Sequence, residues 1–135
     1  MTTPAARPIP KWQIRTGWAL SCLPLIAFVP SAFFKIAQPG QFLAEWSKSY
    51  PPGTARPIGL VELGSVILYL VPATRVLGAI LLTGYLGGAI ATHVRAGEAS
   101  WVTPLVLGII VWGGLFLRDA RLRQLLPTTK DGAVG

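Results

Sequence analysis

The chain is short of charge. Only 13% of its 135 residues are Asp, Glu, Lys or Arg, and only five are acidic; an ordinary soluble domain carries about 25%. Hydrophobic residues make up 52%, and mean hydropathy is +0.55. A small globule has a high surface-to-volume ratio, and this much charge does not coat one. A soluble enzyme, a disordered tail and a coiled coil are therefore disfavoured. The single cysteine, Cys22, rules out an intrachain disulfide, a CxxC motif and a tetrahedral Cys/His zinc site; it reads as a small buried hydrophobe. The single histidine, His93, rules out two-histidine haem ligation within one chain and a facial triad of two histidines and a carboxylate. A haem held by His93 alone, or shared between subunits, stays open. There is no glycine-rich phosphate loop, HExxH or dinucleotide fingerprint. Ser21, Ser31 and Ser65 lack a nucleophile-elbow context. No metal site is expected, and the length allows one domain at most.

What the chain does have is apolar length. Four stretches, Trp18–Ile36, Pro57–Thr74, Val76–Val94 and Trp101–Leu117, each run 17 to 19 residues. That is near the length needed to cross a hydrocarbon core of about 30 Å at 1.5 Å per residue. In lipid the backbone must satisfy its own hydrogen bonds, so such stretches are helices. The expectation is an all-α, four-helix transmembrane bundle running up-down-up-down. Residues 1–16 and 119–135 would be tails, and 17–118 the membrane domain. The first stretch follows Arg7, Lys11 and Arg15 but exceeds a signal-peptide core, and it is read as a retained span. Pro24 and Pro30 should kink it. Pro127–Gly135 reads as disordered.

Net charge is +7 and the pI about 10.4. The basic residues punctuate apolar stretches instead of forming a face, which argues against nucleic acid and for the positive-inside pattern. One side would carry Arg7, Lys11, Arg15, Arg75, Arg118, Arg121, Arg123 and Lys130, and the other Lys35, Lys48, Arg56 and Arg95. Both termini should then be cytoplasmic. In the long connection Ala37–Arg56, Phe42, Trp46 and Tyr50 recur every four residues. That spacing predicts a short amphipathic helix lying in the interface, started near Pro39-Gly40 and stopped by Pro51-Pro52; an ordinary loop is the alternative. Gly84 and Gly88 form a GxxxG, read here as close packing inside the bundle.

Ionisable groups at membrane depth are costly and are functional candidates by default. Glu62 lies in the second span and His93 near the outer end of the third. Lys35 and Arg95 sit at span ends, where long basic side chains can snorkel. Alternating span directions bring Lys35, Glu62 and His93 to one outer layer. Glu62, Ser65 and Tyr69 share a stripe of the second span, which should face the bundle interior or a partner. Two readings compete. In the structural one, Glu62 pairs with Lys35, Arg56 or His93, or stays neutral by burial, and fixes helix register. In the functional one, Glu62 and His93 form an acid–base or ligand-gripping pair beside a lipid-accessible pocket.

Three motifs, Ser31-Ala-Phe-Phe-Lys35, Ile58-Gly-Leu-Val-Glu62-Leu63 and Thr92-His-Val-Arg-Ala-Gly-Glu98, resemble in order and spacing those of the DoxX-like membrane proteins. The similarity covers roughly Trp12 to Arg118. Ala32 stands where the family's first motif usually has glycine, which bears on how closely a neighbour approaches beside Lys35. The resemblance implies a small four-helix bacterial inner-membrane protein with Lys35, Glu62, His93 and Arg95 at the family's polar positions. Some relatives are named as subunits of thiosulfate:quinone oxidoreductases, so a quinone or another isoprenoid-like molecule is a reasonable ligand; the lone Cys22 fits a thiol redox role poorly. The expected function is an outer-leaflet pocket for a small apolar ligand, with quinone-linked redox work or isomerisation by proton transfer. Glu62 and His93 would exchange protons, Lys35 and Arg95 would hold an anionic or carbonyl group, and Ser65 and Tyr69 would line the site. The alternatives are a non-catalytic accessory subunit of a membrane complex, holding its partner through Gly84 and Gly88, and a small transporter working as a homo-oligomer.

Overall fold

Proline and glycine set the breaks between helices. The computed structural model describes residues 8–125, and within them every regular element is helical. The expectation of a disordered Pro127–Gly135 lies outside the described residues. The first apolar stretch forms α1 (Lys11–Cys22) and α2 (Leu25–Ala37), parted at Leu23-Pro24. Pro24 has no N–H to give to the preceding turn, so the helix bends there. Pro30 sits inside α2 without ending it. Gln38 closes α2 in the left-handed conformation (φ 53°) and donates its N–H to Phe34 O at 2.9 Å. Pro39 then starts α3 (Gly40–Trp46).

α4 (Ala55–Leu70) and α5 (Arg75–Arg95) are joined by the turn Val71–Thr74, in which Thr74 Oγ1 donates to Leu68 O at 2.9 Å. A 3₁₀ turn (Ala99–Trp101) leads into α6 (Val102–Arg118), followed by α7 (Ala120–Leu125). Three segments are long and apolar enough to cross a membrane: Lys11–Ala37, Arg75–Arg95 and Ala99–Arg118. The second expected span is α4, whose 16 residues cover about 24 Å. The surface fits an apolar solvent. Ile26 is 74% exposed, Ile109 65% and Phe33 63%, whereas soluble monomers keep large apolar patches few and small. Cys22, expected to be buried, is instead exposed on α1. It sits on the outer side of the helix, where an apolar solvent accepts a thiol as readily as a core would.

Between lipid-like surfaces, helix packing depends on close backbone approach. The glycines that provide it do not form a motif. A Cβ on Gly17 would lie 2.9 Å from Arg118 Cβ, and one on Gly114 2.6 Å from Ser21 Oγ, so α1 and α6 run antiparallel in contact. A Cβ on Gly59 would lie 2.7 Å from Lys35 Cβ and 3.2 Å from Ala32 O. The close approach beside Lys35 is therefore present despite Ala32, because α4 supplies the missing side chain. Gly84 and Gly88, expected to pack inside the bundle, meet no heavy atom within 4 Å of a built Cβ. That expectation is corrected: the GxxxG leaves space and does not close it.

Candidate functional site

Lys35, in the last turn of α2, points across to α4. Its ammonium donates to Glu62 Oε2 at 2.8 Å, to Tyr85 Oη at 2.7 Å and to Ser31 Oγ one turn back on its own helix. An ammonium has three donors, and all three are used. Ser31 Oγ in turn donates to Glu62 Oε2 at 3.3 Å. Lys35 is 7% exposed and Glu62 is fully buried. Three helices thus close on one ion pair, and Glu62 Oε1 is left buried with no hydrogen-bond partner. Such a pair resists loss of either member, since one charge alone would be stranded.

A cavity of about 840 Å³ opens beside this pair, within the usual range for small-molecule sites. Ser31, Lys35 and Tyr85 lie at its polar end, and Ile58 and Val61 of α4 form an apolar wall. Gly84 and Gly88 of α5 line it too, and their missing side chains give it room. Phe42, Trp46 and Tyr50 line it from the α3 side. Trp46 and Tyr50 are stacked with centroids 4.2 Å apart, and Phe42 is tilted against Trp46 at 5.5 Å. The short helix expected in this connection is α3, and the aromatic stripe that begins on it lines the cavity. Two hydrogen bonds hold it: Tyr50 Oη with Thr92 Oγ1 of α5 at 2.7 Å, and Trp46 Nε1 to Thr54 Oγ1 at 3.1 Å. A smaller cleft of about 340 Å³ shares Ser31, Tyr85, Ala89 and His93 with the cavity and adds Glu62.

His93 finds its partners in the following loop. Its Nδ1 lies 2.6 Å from Glu98 Oε2, and Ser100 Oγ lies 3.0 Å from both. Gly97 allows the tight turn by taking φ +71°. The hydrogen bond from His93, then that from Ser100, holds the Glu98 carboxyl below the ordinary glutamate range. A lowered folded-state value means the loop contact is fully present above the ordinary carboxylate range and is lost as pH falls through the lowered value. In a titration followed by side-chain carbon NMR, Glu98 should ionise below free glutamate, and His93→Gln should return it upward.

The structure thus brings Lys35, Glu62, His93 and Arg95 around one pair of cavities: Arg95 is exposed at the edge of the larger, and Glu62 and His93 both line the smaller. Glu62 and His93 are not hydrogen-bonded to each other; each is engaged elsewhere. Ser65 and Tyr69 line neither cavity. Both are buried, as a polar stripe should be, but Ser65 Oγ donates to Val61 O of its own helix at 2.6 Å. Tyr69 Oη donates to Val111 O at 2.7 Å and is hydrogen-bonded to Ser21 Oγ at 2.9 Å, at the opposite end of α4. There Arg118 Nε donates to Ser21 Oγ at 2.9 Å, and its guanidinium lies over Trp18 at 4.2 Å. Arg75 pairs with Asp119 beside it at 2.9 Å. That cluster ties α1, α4 and α6 together, which accounts for Tyr69 without a ligand. Sequence reasoning missed Ser31 and Tyr85. Ser31 was findable as the residue one turn before Lys35. Among the described residues no group of three His, Cys, Asp or Glu comes together that could hold a metal ion.

The DoxX-like family model matches residues 19–114, a stretch that includes every residue of the ion-pair site. The chain belongs to the DoxX-like family. Comparison with curated proteins and with solved structures gives no match. The matched region of this DoxX-like protein runs from within α1 to within α6 and leaves α7 outside.

Proposed function

We propose that this DoxX-like protein is an inner-membrane, four-helix, up-down-up-down bundle with both termini cytoplasmic, whose outer-leaflet cavity binds a small apolar molecule by one polar group. The observation that carries the reading is the 840 Å³ cavity with aromatic and apolar walls that reaches the Lys35 side of a buried Lys35–Glu62 pair. Burying an ion pair carries a desolvation cost that a bundle built for shape alone can avoid with apolar residues. Tyr85 accepts from Lys35 through a lone pair and so retains a donor O–H at the wall shared by both cavities. A ligand carbonyl can accept from that O–H, and Arg95 at the edge can meet an anionic end. A quinone or isoprenoid-like ligand fits this pattern. Acid–base work between Glu62 and His93, which do not bond directly, would need the ligand's polar group to reach the smaller cleft that both residues line.

Gly88→Leu tests the reading. A Cβ there meets no protein atom within 4 Å and Gly88 lines the cavity, so the fold should survive while the longer side chain fills the cavity. In nanodiscs, a diazirine-bearing aliphatic ketone should label Trp46, Tyr50 or Thr92 in the unmodified protein. Labelling should fall at least about tenfold in Gly88→Leu, the equivalent of one lost contact of about 1.4 kcal/mol. Unchanged labelling would reject the site. If the protein is instead an accessory subunit, Gly88→Leu breaks co-purification with the partner and labelling is absent throughout.

A further inference from the structure

The bend at Leu23-Pro24 has a consequence on the far side of the ion pair. α1 packs on α6 through Gly17, Ser21 and Gly114, whereas α2 packs on α4 through Gly59. Beyond the bend, α2 therefore leaves α6, and a cleft opens between them. Ala27, Phe28 and Ser31 line one side, and Thr103, Pro104 and Leu107 the other. Ala27 and Thr103 are exposed, so the cleft is open sideways. In a bundle that spans a membrane, that side faces lipid.

Glu62 lines this cleft as well, and it is the carboxylate whose Oε1 has no partner. An unpaired carboxylate oxygen in apolar surroundings is costly and is relieved by any donor that reaches it. The donor must be neutral. Lys35 already balances the Glu62 charge at 2.8 Å, so an ammonium would bring an unmatched positive charge into a low-dielectric site. We infer that the α2–α6 cleft is a second binding site, entered from the bilayer, for a neutral apolar alcohol or phenol whose hydroxyl donates to Glu62 Oε1. It shares a wall with the larger cavity through Ser31, Tyr85, Ala89 and His93 but does not require that cavity to be filled.

The test compares a donor with its blocked twin. A diazirine-bearing long-chain alcohol and its methyl ether are presented to the full chain in nanodiscs, and labelled peptides are mapped by mass spectrometry. The alcohol should label the segments holding Phe28, Thr103 or Leu107. The ether, which cannot donate, should label them roughly tenfold less, the effect of losing one hydrogen bond to a charged group. Thr103→Phe, a change at an exposed position, should remove alcohol labelling while leaving ketone labelling at Trp46 intact. Equal labelling by alcohol and ether, no labelling of the cleft, or unchanged labelling in Thr103→Phe would each overturn the inference. Loss of ketone labelling alone, with the alcohol still mapping to the cleft, would count against the larger cavity and not against this site.

Discussion

Glu62→Leu is expected to cost about 3–5 kcal/mol of stability, and Lys35→Met a similar amount, while the double variant recovers most of the loss. Each single change strands a charge among buried groups: the ammonium keeps only Ser31 and Tyr85, or the carboxylate keeps only Ser31. Removing both leaves an apolar contact between α2 and α4, with neutral hydroxyls that need far less compensation. A four-corner unfolding cycle in mixed micelles measures this directly. The two single losses should exceed the double loss, with a coupling of several kcal/mol. Additive losses would mean that the pair is not a unit. Glu62→Gln should fall between, since its carbonyl still accepts from Lys35 but carries no charge.

Gly78→Ala is expected to destabilise by about 3 kcal/mol, the upper end of ordinary overpacking. The new methyl would sit 2.1 Å from Tyr69 N and 2.4 Å from Tyr69 Cα. Both atoms are backbone, so no rotamer can relieve the clash and α4 must move from α5. Tyr85 and Glu62 sit on those two helices, so ketone labelling of the cavity should fall as well. Gly87→Ala is the control. Nothing lies within 4 Å of its Cβ, and alanine in a helix interior should raise stability by about 0.5–1 kcal/mol. Equal effects at the two positions would show that helix propensity, and not the α4–α5 contact, sets the cost.

Much of this was legible because it depends on composition and length. Scarce charge beside long apolar runs pointed to a membrane solvent, and the runs became helices. The first helix starts at Lys11 and not at Trp18 because hydropathy marks the apolar stretch, whereas backbone hydrogen bonds continue into polar residues. The layer shared by Lys35, Glu62 and His93 followed from the alternation of span directions alone. What each residue touches did not. Depth says nothing about facing, and the glutamate took Lys35 while the imidazole took Glu98. Tyr85 was hidden for a related reason: it lies apart from His93 on an ideal wheel, yet a phenol is long enough to reach the ammonium across the gap. The glycines misled in the opposite way. Gly84 and Gly88 carry the recognised spacing and line open space, whereas Gly78 carries none and, among the glycines of the described residues, leaves the least room for a Cβ. Helix contact depends on what the other helix presents, which one sequence window does not contain.

The most direct measurement is native mass spectrometry of the protein purified in mild detergent, with release and identification of any retained mass. The unmodified chain should carry one lipid-soluble compound bearing a polar group, and Gly88→Leu, equally folded, should carry much less. A fully folded protein that retains nothing, or a variant that retains the compound as well as the unmodified chain, would contradict a cavity built around the Lys35–Glu62 pair to hold a ligand.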